Sequence, residues 1–303
     1  MNVDLDVLGD VECALGEGPV WLSESSELVW VDIVAGRIHR SRPGTDAASV
    51  IEVPRMIGAV APTNAGNLVA ATEAGFEEIG TSGVEGSLNN LLATQPDIRM
   101  NDGKCDPAGR FVAGTTSLSG ATGSAALYRL EDDGSATTIL DGLSVSNGLA
   151  WSPDGSTLFH IDTPAQAITA WNYRPDASLD GEPMIVVDTA KYSGFPDGMT
   201  IDAEGNLWVA FWDGHAVRCF SPAGQLLDEI SAPVSRPTSC TFGGGDFRTL
   251  YITTARLGLE PEELARQPWA GRVLSCRPGA LGVAPTPWRG LTHAATEDKV
   301  DQP

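Results

Sequence analysis

The 303-residue chain carries 40 acidic and 19 basic residues, a formal net charge of -21, and 42% hydrophobic residues, enough for a sizeable core. A field of that sign repels phosphates and argues against nucleic acid and anionic membrane surfaces as partners. The five cysteines are odd in number and scattered, with no Cys-x-x-Cys pair, so neither a disulfide framework nor a thiolate zinc site is indicated. The N-terminal Met-Asn-Val-Asp-Leu-Asp has neither the basic start nor the apolar run of a signal peptide, and no stretch approaches the roughly 18 apolar residues of a membrane helix. A reducing cytoplasm is the expected location, and a monomer or weak homo-oligomer the expected state.

From the N-terminus onward, short runs rich in Val, Ile, Leu, Trp and Thr alternate with Asp-Gly, Pro-Asp-Gly, Ala-Gly and Glu-Gly-Asn turns. One pattern recurs: Ser-Glu-Leu-Val-Trp-Val-Asp (26–32), Ala-Gly-Asn-Leu-Val-Ala-Ala (65–71), Ala-Gly-Arg-Phe-Val-Ala-Gly (108–114), Gly-Ser-Thr-Leu-Phe-His-Ile-Asp (155–162), Glu-Gly-Asn-Leu-Trp-Val-Ala (204–210) and Phe-Arg-Thr-Leu-Tyr-Ile-Thr (247–253). Its apolar anchors, Leu28, Leu68, Phe111, Leu158, Leu207 and Leu250, stand 40, 43, 47, 49 and 43 residues apart. A period of roughly 40–50 residues with several strands per unit marks a β-propeller blade, so six units predict an all-β, six-bladed β-propeller. A two-sheet sandwich or two successive β domains would need a linker or a change of composition near the middle, and the repeat runs straight through. Third strands are expected at 36–40, 126–130, 167–171 and 216–220, and a fourth at 184–188. The last unit, ending at 271–276, lacks its own fourth strand, and residues 3–8 are expected to supply it and close the ring. The single domain is thus 1–283, with a loosely held tail at 284–303. One short helix is expected at 260–267, where a proline precedes acids and helix formers.

Four short stretches share one phase within this repeat. Gly-Glu-Gly (16–18), Arg-Met-Asn-Asp-Gly (99–103), Ser-Asn-Gly (146–148) and Pro-Asp-Gly (196–198) place Glu17, Asn101, Asn147 and Asp197 respectively 11, 10, 11 and 10 residues before an anchor. Asn-Gly and Asp-Gly are also common turn pairs, but turns alone need not keep that offset. The innermost strand of a blade lines the central channel, so the four side chains are expected to converge at its mouth; blades two and six offer only Gly58 and Thr238–Ser239 there. Two carboxylates and two amides form a hard oxygen set that calls for a divalent cation. Ca²⁺ is preferred, with Zn²⁺, Mn²⁺, Mg²⁺ or Fe²⁺ as alternatives.

These stretches, extending from Leu-Gly-Glu-Gly-Pro-Val-Trp (15–21) to Thr-Thr-Ala-Arg (253–256), resemble the senescence-marker-protein/gluconolactonase/luciferin-regenerating family, the regucalcin-like sugar lactonases. The resemblance implies a six-bladed propeller that holds a divalent metal through Glu17, Asn147 and Asp197. It places Arg99 and Asn101 on the sugar hydroxyls, with Asn101 outside the innermost ligand set. It also implies metal-dependent hydrolysis of an aldonolactone in carbohydrate catabolism, with Asp197 as ligand and general base. One departure stands out: well-known animal members carry a glutamate shortly after the Gly-Thr of the third blade, whereas here Thr116-Ser117-Leu118-Ser119 follows Gly114-Thr115. The sugar is therefore left open. So are two alternatives, hydrolysis of aryl esters or organophosphates at the same site and a non-enzymatic calcium-binding propeller. His39, His160, His215 and His293 share no ligand spacing and are expected to be structural, as is Asp162; Trp212 and Phe195 are expected to wall the pocket. No Gly-x-Ser-x-Gly elbow supports a serine esterase.

Overall fold

The computed structural model describes residues 3–45 and 48–291. They form six four-stranded antiparallel sheets. The inner strands are Gly16–Leu22, Ile57–Pro62, Ile98–Cys105, Ser146–Trp151, Phe195–Ile201 and Pro237–Gly243. Every repeat anchor sits on the second strand of its blade and is at most 2% exposed. Each blade packs both faces against its neighbours, so its second strand is buried on both sides and only its outermost strand is largely exposed.

The ring is closed by packing as well as by chain. Six buried apolar clusters each join two adjacent blades: for example, Val29 and Ile38 meet Ile57 and Leu68 between blades one and two, and Trp21 and Trp30 meet Tyr251 and Val273 between blades one and six. Aromatic pairs sit at these seams, with Trp21 stacked on Tyr251 at 5.7 Å and Phe76 edge-on to Phe111 at 5.8 Å. Blade six takes its outer strand from the N-terminus, where Asp6–Leu8 pairs antiparallel with Val273–Cys276. That strand is shorter than the stretch expected from sequence.

Asp162 ties the seam between blades three and four, accepting hydrogen bonds from the Ser144 and Val145 amides at 3.2 and 2.8 Å. Asp32 does the same for Ala14 and Leu15 in blade one. The helix spans Pro261–Arg266 and opens on a reciprocal capping box between Glu260 and Glu263.

The segment after 283 departs from expectation. Residues 284–291 are docked rather than loosely held, while 292–303, with His293, lie outside the described residues. Trp288 is 5% exposed and packs into the seam between blades two and three. Its amide donates to Pro62 O at 2.7 Å, and the Arg289 amide donates to Gly109 O at 2.9 Å. Earlier in the same segment, Ala203 N donates to Leu281 O at 2.7 Å and Gly282 N to Phe247 O at 2.8 Å. The segment therefore runs as a strap from blades five and six across the channel to blades two and three. Proline-rich composition suggested a loose tail, but a buried tryptophan and a ladder of backbone hydrogen bonds outweigh it.

Candidate functional site

Each inner strand breaks its register near its start. The shifts fall at Glu17/Val20, Ile57/Ala59, Met100/Gly103, Asn147/Leu149, Pro196/Met199 and Pro237/Ser239. A bulge re-aims a side chain and tightens local twist. Six bulges at one level around a ring turn the residues at that level toward the axis, which is why glycine directly follows Glu17, Asn147 and Asp197 and stands two residues after Asn101. Gly58 and Gly148 show the crowding: a Cβ on Gly58 would lie 2.1 Å from Asn101 O, and one on Gly148 would lie 2.8 Å from Asp197 O. Blade two offers no donor because its place must admit the backbone of blade three.

Glu17, Asn101, Asn147 and Asp197 come together at this hub, 6%, 6%, 5% and 6% exposed. Asn101 Nδ2 donates to Asn147 Oδ1 at 2.8 Å and to Ser146 O at 3.0 Å. Asn147 Nδ2 donates to Thr163 Oγ1 at 2.8 Å, and Thr163 Oγ1 in turn donates to Pro196 O at 2.8 Å, linking the asparagine to the strand that carries Asp197. The Asn147 side chain also favours the charged form of the Asp197 carboxyl. Arg99 Nη1 donates to Asn101 Oδ1 at 2.8 Å and Met100 O at 2.9 Å.

The electrostatics follow from burial. Desolvation first, then Asp197 and Asp102, push the Glu17 carboxyl well above the ordinary range; desolvation and then Asp102 do the same to Asp197. Burial lowers Arg99 to about 10 against the pull of Glu17 and Asp197, which it offsets in part. Among the described residues no three His, Cys, Asp or Glu side chains group as a metal cluster, so any cation here would rest on a mixed carboxylate and amide set.

At the mouth, Phe195 is 42% exposed and pairs across its blade with Trp212, whose ring lies 4.6 Å beneath the Arg236 guanidinium. An acid does stand over the loop at 116–119. Asp97 accepts from the Ser117 and Ser119 hydroxyls at 2.6 and 2.7 Å, which hold its carboxyl below the usual range. Sequence reading passed over Asp97, Thr163 and Lys104, and treated Asp102 only as part of a turn. It also set His160 aside, which lies buried beneath the hub with Nε2 2.9 Å from Ser146 Oγ.

A closed ring of six blades with buried acids and amides gathered at one end of its axis defines a β-propeller with an axial polar site. A family model described as "SMP-30/Gluconolactonase/LRE-like region" matches residues 15–256. The chain is 36% identical over 291 residues to a putative sugar lactone lactonase, YvrE, of Bacillus subtilis, covering 95% of this chain and 99% of that one. It is 37% identical over 292 residues to a 6-deoxy-6-sulfogluconolactonase of Pseudomonas putida, covering 94% and 98%. Among solved structures, a calcium-binding protein, regucalcin, of Agrobacterium tumefaciens superposes with a TM-score of 0.89 at 25% identity, over 93% and 96% of the two chains. The chain belongs to the SMP-30/gluconolactonase/LRE-like family. Among the described residues no helix is long and apolar enough to cross a membrane.

Proposed function

We propose that the chain hydrolyses an aldonolactone to its aldonic acid at the axial site, using one divalent cation. The observation that carries this reading is the convergence of Glu17, Asn147 and Asp197 with Arg99 and Asn101 at one buried hub, in a chain whose relatives include sugar lactonases.

The residues present fit a hard cation. Two buried carboxylates repel each other and are costly to ionise there, and only part of that charge is offset by Arg99. Glu17, Asn147 and Asp197 would hold the ion, with Ca²⁺ preferred for an oxygen-only set. When bound, a divalent cation supplies Lewis acidity that polarises a carbonyl and lowers the pKa of a water.

The remaining work belongs to the chain itself. Asp197 takes the proton from the attacking water. Asn101 keeps the Asn147 oxygen in place and fixes Arg99, and Arg99 and Asn101 orient the ring hydroxyls so that the carbonyl is presented in one geometry. Phe195 and Trp212 wall the mouth. The aldonate produced is an anion inside a strongly acidic protein, which favours its release.

The test is a pH-stat assay of chelator-stripped protein with each cation restored in turn, against several aldonolactones and paraoxon. Cation-dependent turnover of a lactone is expected. Turnover of paraoxon alone would move the assignment to ester or organophosphate hydrolysis, and cation binding without any hydrolysis would favour the calcium-binding reading suggested by the regucalcin relative.

A further inference from the structure

Behind the hub, on the side away from the mouth, the inner strands enclose a chamber of about 300 Å³ lined from all six blades and floored by the strap at 283–286. Two charged side chains face it, Asp102 and Lys104, both from blade three. None of Glu17, Asn101, Asn147 or Asp197 lines it, so Asp102 stands behind the donors rather than among them. The register shift between Met100 and Gly103 lets consecutive residues serve two compartments, with Asn101 at the hub and Asp102 in the chamber.

The two charges are engaged separately. Asp102 is 6% exposed, and its Oδ1 accepts the Gly103 amide at 2.7 Å. Lys104 crosses the channel and donates from Nζ to Met199 O at 2.8 Å, two residues beyond Asp197. Asp102 directly follows Asn101 on the same inner strand, and Lys104 reaches the strand that carries Asp197, so the fields of these two opposite charges both extend to the hub. Charges inside the ring act at a lower effective dielectric than in bulk water and are less screened by salt than surface charges.

We propose that Asp102 and Lys104 tune the cation affinity of the hub from behind without ligating it. Asp102 strengthens binding and Lys104 weakens it, leaving the site at an intermediate affinity. This rests on the cation reading above and adds to it two residues outside the donor set.

Calorimetric titration of Ca²⁺ into chelator-stripped protein tests it, using wild type, Asp102→Asn, Lys104→Met and the double variant. Asp102→Asn should weaken the Kd by at least about tenfold, Lys104→Met should tighten it by a similar factor, and the double variant should return close to wild type. An unchanged constant in Asp102→Asn, or an unchanged or weaker one in Lys104→Met, overturns the proposal while leaving the cation reading intact. Absence of binding by wild type overturns both. Asp102→Asn is isosteric, so if circular dichroism shows Lys104→Met to be misfolded, the aspartate arm decides alone.

Discussion

Asn101 and Asn147, 46 residues apart in sequence, are joined side chain to side chain at 2.8 Å across the seam between blades three and four. The bond does two things at once, because the same Asn101 also accepts from Arg99. Replacing Asn101 with Ala removes the acceptor that steadies Arg99 and the donor that steadies Asn147. The expected result is a fall in kcat/KM of about tenfold or more with folding retained, since a displaced positioning group costs rate more than stability. Steady-state kinetics on the preferred lactone, beside a thermal melt, checks both halves.

Gly58 carries no chemistry, yet it decides how closely blades two and three approach at the hub. A Cβ there would meet Asn101 O at 2.1 Å and Met100 O at 2.7 Å, backbone atoms that cannot swing aside. Gly58→Ala should destabilise the protein by about 1–3 kcal/mol and also lower activity by shifting Asn101. Denaturant midpoints report the first effect. A variant as stable and as active as wild type would show that the seam can open without cost.

Much of this was legible from the chain alone, and for a physical reason. A propeller repeats one packing problem six times, so Leu28, Leu68, Phe111, Leu158, Leu207 and Leu250 had to recur, and the donors kept phase with them. What the spacing concealed were features created by irregularity. The bulge between Met100 and Gly103 sends Asn101 and Asp102 to different compartments, which periodicity cannot express. Thr163 holds Asn147 from the turn after the second strand, His160 on that strand meets Ser146 beside it, and both look like ordinary residues of those elements. Trp288 lay in a proline-rich run whose composition pointed to solvent; only the fold supplies the seam into which it packs.

Asp197 is costly to the fold and needed by the proposed chemistry. Its buried carboxyl is pushed well above the usual range by desolvation and by Asp102, so near neutrality the ionised form strains the cation-free protein. Asp197→Asn should therefore raise Tm when measured in chelator, while abolishing cation binding and turnover. Melting curves with and without added Ca²⁺ separate the two effects. Full hydrolysis by this variant would refute the role given to Asp197.

Trp288 anchors the strap that floors the channel. Its 5% exposure and its place beside Phe111 and Ala61 predict that Trp288→Ala costs about 3–5 kcal/mol, the range for emptying a buried aromatic site. Chemical denaturation measures this directly. Because the strap lies on the chamber side, KM for the lactone should move little in the protein that remains folded.

His160 makes the fold sensitive to acid. Burial depresses its imidazole to about 4 from an ordinary value near 6.5, so the folded protein binds fewer protons than the unfolded chain between those limits. The sign follows: the contribution is complete above pH ~6.5 and is lost as pH falls toward the folded-state value. Between pH 7 and pH ~4.5 the loss from this group is on the order of 2–3 kcal/mol. Carboxylates also titrate there, and Glu17 and Asp197 act in the opposite sense when no cation is present, because their raised values favour the folded state on acidification. Comparison with His160→Gln isolates the imidazole, since the other groups are common to both proteins. The amide side chain of the variant retains a partner for Ser146 Oγ, which lies 2.9 Å from Nε2 in the wild type. Unfolding free energies of the two proteins should therefore converge as pH falls. Parallel curves over that interval would mean that the imidazole titrates alike in the folded and unfolded chains and that burial does not depress it.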